Sequence, residues 1–199
     1  MRLGRSLAAL MPQEPEAIGL VALMELSASR FAARTDKAGN PILLLDQDRG
    51  RWDWSLIRRG LDGLNRAMAL TTTPGPYLLQ AMIAACHARA ASAAETDWIA
   101  ISAHYQVLAL VAPSPVVEVN RAVAVGMAFG PAQGLAVADA LKDEPRLKDS
   151  YLLPTVRGEM LQRLGRLEEA RAEFRRAAEL TGNEKERALL LARASAGGG

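Results

Sequence analysis

A single cysteine, Cys86, in 199 residues rules out any internal disulfide. Aromatic residues are scarce, at 5%, which argues against a sandwich core; with alanine and leucine abundant, the composition favours closely packed helices. No apolar run is long enough to span a bilayer, and the first residues lack a signal-peptide pattern. Charge of one sign is missing too. The 24 Lys and Arg stand against 22 Asp and Glu, for a net charge of +2, and no run of like charge marks a nucleic-acid interface. A lone thiol between apolar neighbours reads as buried and reduced, which fits a cytoplasmic compartment. No membrane contact is expected.

The same scarcity thins out the chemistry. His87 and His104, the only two histidines, are 17 residues apart (104 − 87) and match no metal spacing, so each reads as structural. There is no Gly-rich phosphate loop, no Ser/His/Asp order and no paired-Cys site. The pattern therefore gives no support for an enzyme, and it calls for no cofactor or metal. Asp46, Asp48 and Asp53 make a carboxylate-rich loop that lacks the glycine and distal glutamate of a calcium loop, leaving capping and turn roles. Trp52 and Trp54 flank Asp53. This trio is the candidate partner contact, with packing of the segment onto the helices as the alternative. Arg163, Arg166, Arg171, Arg175 and Arg176 alternate with Glu168, Glu169, Glu173 and Glu179, the pattern of a solvated helix face.

What the chain does have is 50% hydrophobic residues set largely at helical spacing. Between Ser150 and Leu180, Leu153, Val156, Met160 and Leu164 share one face, and Gly165 follows as a C-terminal stop. Ala170, Phe174 and Ala177 then form a second stripe. Small residues at Gly158 and Ala170 allow two antiparallel helices to approach, with Phe174 between them. Gly158, Leu161, Gly165, Ala170, Phe174 and Ala177 together resemble a tetratricopeptide (TPR) repeat, a helix-turn-helix unit of about 34 residues. The pattern departs from that family at Pro154, where its early Trp would fall, and at Gly182, where its terminal Pro would fall. The turn glycines Gly130 and Gly165 are 35 residues apart (165 − 130), close to one repeat.

Taken in order, Leu3, Leu7, Leu10 and Met11 form a short uncapped stripe. Pro15 suits the first turn of a helix whose residues Ala17 to Leu26 are almost all apolar, so it should be covered on several sides. Thr35 to Asn40 is a turn, and Ile42 to Leu45 reads as an extended piece that pairs with Phe31 to Arg34 in a small hairpin. Asp53 should cap a helix with the stripe Ile57, Leu61, Leu64 and Met68. Pro76 opens another, with Leu79, Met82, Ile83 and Cys86 inward. Ser92 or Thr96 caps the next, whose inward stripe is Ile99, Ala103, Val107 and Leu110. Ser114-Pro115 starts a helix facing in with Val119, Ala122, Val123 and Met127, and Gly130-Pro131 closes that hairpin. Leu135, Ala138 and Leu141 follow, and Asn183 with Glu186 makes a capping box for the last helix. The expectation is an all-α, TPR-like right-handed solenoid of about ten helices, one domain over residues 1–194. Residues 1–14 look like the join to a missing N-terminal module, and 195–199 read as a disordered tail.

Six phrases in order carry a more specific resemblance. They are Leu43-Leu44-Leu45-Asp46-Gln47-Asp48-Arg49 with Arg51-Trp52-Asp53, Pro74-Gly75-Pro76-Tyr77-Leu78-Leu79-Gln80-Ala81, Ile83-Ala84-Ala85-Cys86-His87-Ala88, Thr96-Asp97-Trp98, Pro113-Ser114-Pro115-Val116-Val117 and Asn120-Arg121-Ala122-Val123-Ala124-Val125. The set is similar to the C-terminal TPR-like extension of extracytoplasmic-function (ECF) RNA polymerase sigma factors, over nearly the whole chain. The resemblance implies a regulatory interaction domain that acts in transcription initiation. Its partners would be the sigma factor's own modules, RNA polymerase or an unknown protein regulator. The two modules that bind polymerase and promoter in that family have no counterpart here, so no direct DNA binding is implied, and there are no catalytic residues to carry over. A free-standing helical-repeat adaptor unrelated to transcription is the alternative. A small-molecule sensor, with a pocket lined by the segment around Trp52 and His87, is a third reading.

Overall fold

Proline opens four helices, at Pro15, Pro76, Pro115 and Pro131, where its fixed φ and missing N–H suit the first turn. The computed structural model describes residues 2–195. Among them the regular structure is all α: α1 (Arg2–Leu10), α2 (Pro15–Ala28), α3 (Trp54–Ala69), α4 (Pro76–Arg89), α5 (Trp98–Val111), α6 (Pro115–Phe129), α7 (Pro131–Asp139), α8 (Leu152–Arg163), α9 (Leu167–Leu180) and α10 (Glu184–Ser195). No helix is long and apolar enough to cross a membrane among these residues. Contacts gather in two compact units, Met1–Ala112 and Pro113–Gly199, within the stretch expected as one helical domain.

In the first unit α2 is central. It packs on α1, α3 and α4, and α4 in turn carries α5. Ile18, Ala22 and Leu26 of α2 meet Ile57 and Leu64 of α3 and Leu78, Ala81 and Ala85 of α4 in one buried cluster, so the all-round apolar character of α2 has its use. Asp53 caps α3 as expected, accepting from the Ser55 and Leu56 N–H groups at 2.9 and 3.1 Å. The cap of α4 comes from outside its own segment: Gly75 offers no side chain, and the Glu16 carboxylate of α2 accepts from the N–H groups of Tyr77 (2.8 Å) and Leu78 (3.1 Å).

Several expectations are corrected here. Phe31–Ala33 and Leu44–Asp46 are 3-10 turns, not hairpin strands. The one bridge near them joins Thr35 to Pro41. It cannot grow into a ladder there because proline has no N–H to donate, while the Asp36 carboxylate turns the chain sharply by accepting from the Ala38 and Asn40 N–H groups, both at 2.8 Å. Asp97, not Ser92 or Thr96, caps α5, accepting from the Ala100 N–H at 2.9 Å. The stripe assigned inward on α5 is the outward one. Ile99 is 63% and Leu110 79% exposed, and Ile101, Ser102 and Leu108 are buried in their place. Periodicity finds a stripe on such an apolar helix but cannot tell which of two faces meets a neighbour. Leu3, Leu7, Leu10 and Met11 of the first stripe are likewise exposed, and so is Met68 of α3. Cys86 is half-buried rather than buried.

The second unit runs as successive helix pairs: α6 on α7, α7 on α8, α8 on α9 and α9 on α10. Gly130 (φ 107°) and Gly165 (φ 74°) turn the chain between α6 and α7 and between α8 and α9. At Gly165 the left-handed residue completes a Schellman motif. Its own N–H reaches the Gln162 carbonyl and the Arg166 N–H the Leu161 carbonyl, both at 3.0 Å. Leu161, Ala170, Phe174 and Ala177 are buried together with Met160 and with Leu190 of α10, while Leu164 stays partly exposed. A β-carbon on Gly158 would stand 2.8 Å from the Phe174 ring, so a hydrogen is needed there for α8 and α9 to close on it. Arg157 of α8 is paired with Asp139 of α7 and with Glu173 of α9.

Asn183 caps α10, accepting from the Lys185 and Glu186 N–H groups. Glu186 departs from the expected reciprocal box: its carboxylate accepts from the Thr181 hydroxyl (3.0 Å) and the Tyr151 hydroxyl (3.3 Å), joining α10 to the start of α8. Ser195 is the last residue of α10, its hydroxyl donating to the Leu191 carbonyl, not part of a disordered tail. Residues 196–199 of that expected tail lie outside the described residues.

Phe174 fills the closure of the repeat, so truncation should be costly. Phe174→Ala should lose about 3–5 kcal/mol of unfolding free energy. Gly158→Ala should destabilise the parent, and clearly less in a Phe174→Ala background where the ring no longer meets the new methyl. Urea titrations of the four proteins measure this; additive losses would show that the two residues do not touch.

Candidate functional site

The irregular segment from Ser29 to Asp53 is held by arginines that bond backbone carbonyls. Asp53 N–H donates to the Ser29 carbonyl at 2.8 Å, closing the segment's ends. Arg49 reaches α4, and its Nη1 donates to the carbonyls of His87 (2.6 Å) and Ala90 (2.7 Å), groups that the end of a helix leaves without partners. Its guanidinium also lies over the Trp52 ring, 4.6 Å from the centroid. Arg51 donates to the Ala32 and Thr35 carbonyls. Asp48 caps the short turn Arg49–Arg51 by accepting from the Gly50 N–H at 2.9 Å. The carboxylates of this loop thus do capping work where the structure resolves a role for them, and no group of three or more metal-binding side chains occurs among the described residues.

The candidate contact trio separates. Trp52 is 3% exposed and belongs to the core of the first unit, so it packs the segment onto the helices and presents nothing to a partner. Asp53 is spent on its cap. Trp54 is 52% exposed and remains available. The residues chosen for the repeat, Gly158, Leu161, Gly165, Ala170, Phe174 and Ala177, are brought together in the second unit as described and serve packing and turning. Large exposed apolar side chains outside the trio include Phe31 and Phe129, then Ile99, Leu110 and Val111 of α5, and Leu3 and Leu10 of α1.

A cavity of about 230 Å³ opens in the first unit between α2, α4 and α5, lined among others by Leu23, Arg30, Ile83, Ala84, His87 and Tyr105. Its polar atoms are poorly satisfied. Arg30 Nε, His87 Nδ1 and the nearby Arg49 Nη2 are buried with no hydrogen-bond partner in the protein. His87 meets Trp98 edge to face, with centroids 5.2 Å apart. Burial, and then the charges of Arg34 and Arg49, lower the Arg30 pKa. Burial also raises that of the Tyr105 hydroxyl. Two larger clefts look different. The one of about 420 Å³ beside α1 contains Arg5 and Arg59, which both pair with Glu25. The one of about 480 Å³ at α9 and α10 contains Arg187, which donates to the Ala178 and Thr181 carbonyls. His87 and Trp52 were the markers for a possible pocket. The structure puts His87 in its wall and Trp52 beneath the neighbouring loop. Arg30 and Tyr105 had no signal in the sequence, because nothing in their local pattern separates them from surface residues.

Comparison with known proteins gives similarity without a described activity. A family model described as "Family of unknown function (DUF6596)" matches residues 1–68. The chain is 45% identical over 190 residues to "Uncharacterized protein R00370" of Rhizobium meliloti (strain 1021), a match that covers 96% of this chain and 44% of that protein. The chain therefore spans less than half the length of that relative. No solved structure matches.

His87 gives a test in pH. Burial first, and then the Arg30 and Arg49 charges, push its pKa down from 6.5 to about 4. Between those values the unfolded chain binds a proton that the native chain refuses. The contribution to stability is thus complete above about pH 6.5 and is lost as pH falls towards 4, by at most about 3 kcal/mol. Urea unfolding at pH 7 and pH 5 should show the loss in the parent and a clearly smaller one in His87→Gln. Equal losses would mean that His87 titrates normally.

Proposed function

We propose that the chain is a non-catalytic regulatory domain of an ECF-type sigma factor, acting in the cytoplasm on transcription initiation by contacts with protein. The observation that carries this reading is the ordered set of six phrases between Leu43 and Val125, which resembles the C-terminal extension of those factors. Most of the phrases coincide with places that shape the fold. The first supplies Arg49 and the Asp53 cap, the second the start of α4, the fourth the Asp97 cap of α5 and the fifth the start of α6. A shared set of such phrases therefore fits a shared architecture. More than half of the R. meliloti relative lies outside the match, length that separate polymerase- and promoter-binding modules would need.

Two features of the surface favour protein over DNA as what this domain touches. Arg166 is paired with Glu169 and Arg171 with Glu168, which leaves that helix face nearly neutral towards phosphate. The outward stripe of α5, with Ile99 and Leu110, offers apolar area of the kind that protein contacts bury. The partners on this reading are the sigma factor's own modules, core RNA polymerase or a protein regulator.

In-vitro transcription with core RNA polymerase tests the reading. The full-length protein that carries this domain should direct promoter-specific initiation. Deleting the domain, or placing Glu at both Ile99 and Leu110, should change the output roughly tenfold, the effect of about 1.4 kcal/mol of coupling. A full-length protein that starts no transcript, or one whose output is indifferent to the deletion, overturns it.

A further inference from the structure

The cavity between α2, α4 and α5 has more positive and donor character than the protein uses. Of its wall residues, His87 is only 8% exposed, and its Nδ1 has no partner. Arg30 lines the same space and has its Nε buried without a partner. A buried polar group without a partner costs stability, and a buried guanidinium more so. The charges that act on Arg30 are those of Arg34 and Arg49, both of its own sign. Glu95 acts on Arg49, and Glu25 pairs with Arg5 and Arg59, not with Arg30. Leu23, Leu44, Ile83 and Ala84 give the wall an apolar side, Ser27 and Gln80 add polar side chains, and Tyr105 lines it from α5.

We infer that this cavity is a binding site for a small organic carboxylate, its carboxylate on Arg30 and its apolar body against Leu23, Ile83 and Ala84. The planar guanidinium suits a carboxylate in a two-pronged contact. Neutral His87 supplies one further polar atom, as donor or acceptor according to its tautomer. The apolar side of the wall favours an organic acid over inorganic phosphate, which has no body to set against Leu23, Ile83 and Ala84. At about 230 Å³ the space lies below the roughly 300–1,000 Å³ of drug-sized sites, so the ligand is of the size of a single aromatic or branched aliphatic acid. The inference concerns this chain alone and stands whether or not the domain belongs to a sigma factor.

Fluorine NMR on the full 199-residue chain provides the test, with 4-fluorobenzoate as the probe. The parent should broaden and shift the probe's resonance at millimolar concentration, and unlabelled benzoate should reverse the effect. Arg30→Gln should weaken binding roughly tenfold or more, the effect of losing a hydrogen bond to a charged group, while Arg163→Gln in the second unit should bind as the parent does. If circular dichroism shows Arg30→Gln unfolded, Ala84→Met takes its place, since a longer side chain there fills the cavity and should displace the probe. The assignment fails if the parent leaves the resonance unchanged, or if the folded variant binds undiminished. It also fails if inorganic phosphate competes as well as benzoate, because the apolar wall would then contribute nothing.

Discussion

Arg49 holds the first unit's irregular segment to its helices through carbonyl groups, not carboxylates. The end of α4 leaves backbone carbonyls without partners and carries the negative end of the helix dipole, so a guanidinium between His87 and Ala90 answers both needs at once. Trp52 lies beneath it and adds the ring's negative face. The cation meets backbone dipoles in place of a carboxylate ion pair, with Glu95 as the acid that acts on it. The cavity with Arg30 and His87 feels that charge. Burial is the main cause of its lowered pKa values, with Arg34 for Arg30, Arg30 for His87 and, last, Arg49 for both adding to it.

The two units solve the helix-packing problem in different ways. In the second, each helix meets the next, glycine turns recur at a repeat-like interval, and Phe174 fills the closure between α8 and α9. Such an arrangement is nearly one-dimensional, and each pair depends chiefly on its neighbours. In the first, α2 touches three helices and sends Glu16 to cap one of them. That geometry encloses space among non-successive elements, which is why the polar cavity with unsatisfied atoms is found there. A stacked pair of helices has a groove, whereas a helix surrounded by others has pockets at its ends.

The exposed faces add a second property. Apolar residues on α5 and α1 face outward. The cavity and the α5 stripe both use α5: Tyr105 faces the cavity, and Ile99 and Leu110 face out. A ligand held against Tyr105 would therefore sit on the helix whose other side is free to meet protein.

Local chemistry was legible from the sequence wherever one residue and its neighbours decide the outcome. Proline and aspartate set the starts of α2, α3, α4, α6 and α7. Gly130 and Gly165 set two turns because only glycine adopts their φ cheaply, and Gly158 with Phe174 marked the close helix pair. Asp97 was missed because Thr96 and Ser92 are equally good cap types, and only the actual helix start chooses among them. What tertiary structure alone decided is which face of an apolar helix turns inward, as on α5, and which distant groups meet. Glu16 capping α4 from 61 residues away, Arg49 reaching the end of α4, and Arg30 sharing a cavity with His87 and Tyr105 all depend on how helices are placed in space. Periodicity describes a single helix, and a site made by three helices and a loop is a property of their packing.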